Sequence, residues 1–151
     1  MRKRTPMRET GRRKGKPRTS PATPGLSRRT IAVKTCLDGM PGAVANPLSA
    51  PRASSPNVLL YKVMGKMFAV LALRGVEHVM LKCDPHLADL LRSQYTGIGH
   101  RTHLDRRYWI SVSLDADVPL KEIRRLIGHS YDLVCAGLTR KQKADLAALA
   151  G

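Results

Sequence analysis

Residues 58–83 read VLLYKVMGKMFAVLALRGVEHVMLKC, and this stretch decides the fold. Three runs rich in β-branched and other apolar residues, Val58–Val63, Met67–Leu73 and Val76–Cys83, are separated by Met64-Gly65 and by Arg74-Gly75. Breaks this short leave room only for tight turns, so the runs predict a three-stranded antiparallel meander.

Downstream, Asp84-Pro85 supplies an N-cap and a proline at the first helical position. Leu87, Leu90, Leu91 and Tyr95 then recur at helical spacing and predict a helix of about three turns. Residues 96–105 carry two glycines and read as a loop. A strand over Arg106–Leu114 follows, whose alternation puts Tyr108, Ile110, Val112 and Leu114 on one face and Arg107, Trp109, Ser111 and Ser113 on the other. After the turn Asp115-Ala116-Asp117, Pro119 opens a helical segment lined by Leu120, Ile123 and Ile127. The segment is interrupted around Gly128 and restarts at Ser130, with Tyr131, Leu133, Val134 and Leu138 continuing the apolar pattern. Thr139 and Gln142 have capping-box spacing for a last helix through Ala150.

Upstream, Ile31, Val33, Leu37 and Met40 predict a short helix that begins near Ser27 and is closed by Pro41-Gly42, and residues 46–57 read as a Pro/Ser/Ala loop. These elements describe an α+β domain in two layers, an antiparallel sheet of about four strands packed on one side by helices.

Charge divides the chain. Of 151 residues, 27 are Lys or Arg and 11 are Asp or Glu, a net charge of +16. Residues 1–29 hold eleven of the basic groups and one acid, leaving +6 for residues 30–151. The first segment interleaves Arg and Lys with Pro, Gly, Ser and Thr. Its few apolar side chains cannot offset a backbone ordering cost of about 1–2 kcal/mol per residue, so residues 1–29 are expected to be a disordered basic tail and residues 30–151 one domain. The tail's Arg-rich, acid-poor composition also fits a transit peptide, but it lacks the apolar face such a helix needs. No apolar run reaches the length of about 18 residues needed for a membrane span, and no secretory signal pattern is present, which points to a cytoplasmic protein without a membrane partner. Cys36, Cys83 and Cys135 are odd in number and set among apolar neighbours, as reduced thiols are.

Motifs for chemistry are sparse. Gly97-Ile98-Gly99 lacks the third glycine and the preceding strand of a phosphate loop, and no nucleophile is paired with a base by spacing. His100, His103 and Asp105 are too few to define a metal site, and Asp115 and Asp117 fit turn formation and helix capping better than paired-carboxylate catalysis. Neither catalytic residues, a cofactor nor a metal is expected. The informative constellation is Arg101, His103, Arg106, Arg107 and Trp109, where guanidinium groups can hold phosphates and indole can stack a base. The competing reading covers Trp109 with a helix and pairs the arginines with Asp105, Asp115 or Asp132. Lys62 and Lys66 flank the Met64-Gly65 turn and add to a basic edge.

These residues also carry a resemblance. The segments Tyr61-Lys62-Val63 with Gly65-Lys66-Met67-Phe68-Ala69, Leu81-Lys82-Cys83-Asp84-Pro85, His103-Leu104-Asp105-Arg106-Arg107-Tyr108-Trp109-Ile110-Ser111-Val112, Leu114-Asp115 with Asp117-Val118-Pro119, and His129-Ser130-Tyr131-Asp132-Leu133-Val134 occur in order. In these the chain resembles the MmcQ/YjbR family of small bacterial proteins. Cys36-Leu37 and Met40-Pro41-Gly42-Ala43 are similar to that family's first helix and turn, extending the likeness over residues 30–151. Ala45-Asn46-Pro47-Leu48-Ser49-Ala50 departs from its acidic, Pro-Phe-Gly-like segment, and residues 1–27 have no usual counterpart. The resemblance implies a frataxin-like (CyaY-like) fold with a double-wing arrangement of hairpins and a non-enzymatic DNA-binding role. Lys66, His103, Arg107 and Trp109 are its candidates for a common surface, and Tyr131 and Leu133 for packing a helix against the sheet.

Two functions follow as expectations, and a third, an enzyme, would need a clustered pair of perturbed titratable groups that spacing does not reveal. In the first, Lys66, Arg101, His103, Arg106, Arg107 and Trp109 bind DNA together with the basic tail. In the second, Trp109, His103 and Tyr131 form a pocket for a protein or small anionic ligand. Base preference and oligomeric state have no signal in the sequence, since no recognition helix can be assigned.

Overall fold

The computed structural model describes residues 26–48, 57–99 and 104–150. Helix α1 (Arg28–Asp38) starts where the Ser27 hydroxyl accepts the Thr30 amide, and Val33 and Leu37 bury its inner face. The chain then turns at Gly42. Its φ of +71° is left-handed, and a Cβ there would lie 2.5 Å from Leu146 Cδ1 and displace that side chain, so glycine is favoured. Strands β1 (Ala43–Leu48), β2 (Val58–Val63), β3 (Lys66–Ala72) and β4 (His78–Lys82) follow, and helix α2 (Pro85–Gln94) leads to β5 (Ile98–Gly99), β6 (Trp109–Ser113), α3 (Leu120–Ala136) and α4 (Arg140–Ala150). The expected meander is β2-β3-β4. At its first turn Met64 and Gly65 have φ of 50° and 80°, the sign a two-residue loop needs to match strand twist.

Among the described residues the sheet has six strands in the order β1-β2-β3-β4-β6-β5, and every neighbouring pair is antiparallel. The sequence suggested about four. One addition is β1, which enters the stretch read as a loop and pairs from Ala43↔Val63 to Leu48↔Val58. It is an edge strand with five of its six residues exposed, so no apolar alternation marks it, and its position tolerates Pro47. The other is β5, two residues long. The sixth strand begins at Trp109 rather than Arg106, because residues 106–108 form a turn.

Register sorts the residues onto two faces. Tyr61, Ala69, Leu81 and Ile110 align across β2, β3, β4 and β6, as do Leu59, Leu71, Val79 and Val112 with Ile98 of β5. All are buried against Ile123, Leu126, Ile127 and Tyr131 of α3 and Val33 and Leu37 of α1. Helix α2 adds Ala88 and Leu91 to this core, while Leu90 is exposed. The Asp84 carboxylate caps α2 by accepting the His86 and Leu87 amides, and Thr139 and Gln142 form the reciprocal capping box of α4.

Helix α3 runs without a break through Gly128. Ser130, read from sequence as a restart, is instead fully buried and serves the sheet. The β2–β3 register shifts between Tyr61↔Ala69 and Lys62↔Met67, leaving Phe68 as an extra residue in β3. Ser130 Oγ donates to the Phe68 carbonyl at 2.5 Å and accepts the Lys82 amide at 2.8 Å, so one hydroxyl satisfies two backbone groups at this bulge.

At the N-terminal side, Arg28 and Arg29 belong to α1, which corrects a tail boundary drawn after residue 29. The Arg29 guanidinium donates to the carbonyls of Ala116 and Val118. Residues 1–25 lie outside the described residues. Among the described residues, no helix is long and apolar enough to cross a membrane.

Candidate nucleic-acid interface

The turn before β6 is built by Asp105. Its carboxylate accepts the Arg107 amide at 3.0 Å, and both its oxygens accept from the Arg107 guanidinium, at 3.2 Å from Nε and 2.9 Å from Nη2. The Arg107 hydrogen bonds hold the Asp105 carboxyl below the usual carboxylate range. The Arg107 guanidinium also lies 5.5 Å from the centre of the Tyr108 ring. Arg107 is therefore on a turn and committed to Asp105, not on the polar face of a strand as the alternation suggested. Tyr108, assigned from sequence to the apolar face, is 44% exposed. Arg106 is exposed and, among the described residues, pairs with no acid.

A residue that sequence reasoning passed over fixes this turn. Arg92, in the last turn of α2, donates through Nη2 to the carbonyls of Arg106 at 2.5 Å and Trp109 at 2.9 Å. Its side chain is only 10% exposed, and Asp89 stands 3.5 Å from Nη1. In sequence Arg92 looks like any basic residue near a helix C-terminus; its clamp on a loop 14 residues away has no local signature. Arg92, Asp89, Asp105, Arg106 and Arg107 with Pro85 line a recess of about 490 Å³.

Trp109 opens β6 directly beside Lys82 of β4. Because Ile110 faces the helices, Trp109 faces away from them, together with Lys82, and is half-buried. Lys82 was a second omission, although the alternation of buried Val79, Leu81 and Cys83 carried the signal. Lys66 is exposed at the β2–β3 turn, where it and Lys82 line a groove of about 550 Å³ with Met64, Met67, Leu133 and Gln142. Leu133 and Val134 of α3 place this groove on the helix side of the sheet, and Lys66 pairs with buried Val63, so Lys66 is not on the face that carries Trp109, while Arg106 and Arg107 line the other recess. Arg101 and His103, with His100, lie outside the described residues.

The alternative pocket does not assemble. Tyr131 packs edge-on against Phe68 at 5.4 Å within the helix-covered core and donates to the Pro41 carbonyl, on the opposite side of the sheet from Trp109. The two acids near the β6–α3 turn are structural: Asp117 accepts the amides of Gly97 at 2.8 Å and Thr96 at 3.0 Å, which lower its pKa, and Asp115 accepts from Ser113. Among the described residues, no group of three His, Cys, Asp or Glu is placed to hold a metal ion.

Known proteins place this architecture. A family model described as YjbR matches residues 39–133. The chain is 33% identical over 89 residues to the uncharacterized protein YbdF of Escherichia coli O157:H7, covering 58% of this chain and 73% of that protein. It is 37% identical over 73 residues to the uncharacterized Escherichia coli protein YjbR, covering 46% and 60%. Among solved structures, a Deinococcus radiodurans protein with a DUF419 domain superposes with a TM-score of 0.65 at 26% identity, over 78% of this chain and 86% of that one. A Pseudomonas syringae protein shares the fold with a TM-score of 0.56 at 23% identity, over 72% and 98%.

Proposed function

The chain belongs to the YjbR family, and from that premise we propose that it is a non-enzymatic, cytoplasmic DNA-binding protein that contacts nucleic acid through a basic surface around Trp109, assisted by the basic residues of its N-terminal segment. The observation that carries this reading is the Lys82–Trp109 pair, a cation and an indole side by side on the helix-free face of the sheet. Lys66 at the start of β3 and Arg106 on the turn that precedes β6 add exposed cations, and among the described residues Arg106 pairs with no acid. Arg107 contributes by ordering the turn with Asp105, and Arg101 and His103 belong to the same proposed surface through the sequence alone.

Cations at phosphates release counterions, so binding weakens with salt by about 0.9 log units per log unit of salt for each duplex phosphate neutralised. The test is duplex affinity across a salt series for the full chain and for a variant carrying Lys66→Gln, Lys82→Gln and Arg106→Gln. The expected slope is shallower by about 2.7 in the variant, three contacts at that increment. An identical slope in the two proteins would assign all the electrostatics to residues outside this surface and remove the domain from the proposal.

A further inference from the structure

We infer that the strand pair β4–β6 is a track for single-stranded DNA, with Trp109 as its stacking platform. The inference rests on the DNA-binding reading above and narrows it to a strand form. Register sets three pairs along the face turned away from the helices: Lys82↔Trp109, Met80↔Ser111 and His78↔Ser113. Paired side chains stand about 5 Å apart, and Trp109 to Ser113 spans about 13 Å of strand. The track therefore runs from a cation and an indole at one end to small polar residues at the other.

Beyond Trp109 the floor drops. Ser111, Ser113, His78, Gly99, Gly97 and Thr96 line a recess of about 540 Å³ on this face, and a Cβ added at Gly99 would meet nothing within 4 Å. A recess floored by glycines and serines takes a flat heterocycle. Ser113 donates to Asp115 and His78 Nδ1 is bonded to the Val76 carbonyl, which leaves His78 Nε2 and the Ser113 oxygen lone pair to meet its edge, while Ser111 is 6% exposed at the floor. The adjacent half-buried indole offers that heterocycle's neighbour a stacking face. Charge matches a polyanion. Lys82 sits beside the indole, and Lys62 aligns with Met67 farther across the same face.

Strand form follows from which surfaces are available. In a duplex the base faces are already stacked on one another, and a broad sheet face reaches base edges only where the duplex is bent and its groove opened, at a cost in deformation energy. Unpaired bases present their faces to aromatic side chains, which is how sheet-based single-strand binders work.

The test measures Trp109 fluorescence of the full-length protein on titration with an eight-nucleotide oligo(dT), the matching oligo(rU) and a duplex of the same length. Quenching that saturates with oligo(dT), with duplex binding at least tenfold weaker, is the expected result. Quenching by oligo(rU) at lower affinity is also consistent with the track, and preference for oligo(rU) would overturn its assignment to DNA. Trp109→Ala should weaken oligo(dT) binding by about 5- to 150-fold, the worth of one stacked base, with Trp109→Phe retaining most of the affinity; anisotropy of labelled DNA reads these variants. Gly99→Val fills the recess from open space without touching the indole. It should weaken oligo(dT) binding while leaving the thermal melt unchanged. Equal duplex and single-strand affinities, indifferent to both substitutions, would overturn the track while leaving DNA binding in place. Absence of binding to any probe would overturn both.

Discussion

Removing the Ser130 hydroxyl tests the link between the helix layer and the sheet. In Ser130→Ala the Phe68 carbonyl loses its donor and the Lys82 amide its acceptor, both at the bulge beneath α3, where Ser130 is 0% exposed. A buried polar group left without a partner costs about 1–3 kcal/mol, so two such groups put the loss at about 2–6 kcal/mol. With a urea dependence of about 1–3 kcal/mol per molar for a small domain, the unfolding midpoint should fall by roughly 1–3 M at unchanged slope. Gly128→Ala, two positions earlier on the same helix, is the control. Its new methyl meets nothing within 4 Å, so relief of glycine's helix penalty should raise stability by about 0.5–1 kcal/mol. A Ser130→Ala loss below about 0.5 kcal/mol, the size of an ordinary surface change, would refute the claim that this hydroxyl completes the bulge.

Gly42→Ala combines an unfavourable positive φ with a methyl driven into Leu146, and should cost about 1–3 kcal/mol; an unshifted thermal midpoint would mean that α4 yields without penalty. Asp105, Asp117 and Glu122 all have folded pKa values below their unfolded ones, held by Arg107, by the Gly97 and Thr96 amides, and by Arg125 respectively. Such groups contribute stability above the unfolded carboxyl pKa and lose it as pH falls through the folded value, so urea midpoints should drop as acidity passes below about pH 4. Asp117→Asn should flatten part of that drop, and an unchanged pH profile would count against the assignment. Burial foremost, then the neighbouring Asp84, pushes the Cys83 thiol up to about 11. At pH 8 iodoacetamide should label Cys83 only on unfolding, and fast labelling of the native protein would contradict its burial.

Much of the fold was legible because its signals are local. The Met64-Gly65 turn, the Asp84-Pro85 helix start and the Thr139–Gln142 box each rest on two or three adjacent residues whose chemistry admits few conformations. What the sequence hid depends on partners far along the chain. Strand β1 is exposed on an edge and held by its ladder to β2, so no apolar periodicity announces it. Gly128 and Ser130 resemble a helix break until the sheet beneath them is known. The same holds at the candidate surface. Alternation placed Trp109 on the correct face but carried the strand too far back through Arg106, because the Asp105–Arg107 turn and the Arg92 clamp override it. Of the expected site residues, Lys66 and Arg106 are exposed at separate turns, Trp109 is half-buried beside Lys82, and Arg107 is tied to Asp105.

The most direct test of a binding role for the domain is a titration of the isotope-labelled full-length protein with oligo(dT), followed by amide chemical shifts. The account predicts that the shifts concentrate on His78–Lys82, Arg106–Ser113 and Lys66. Shifts confined to residues 1–25, with β4 and β6 unmoved, would contradict it.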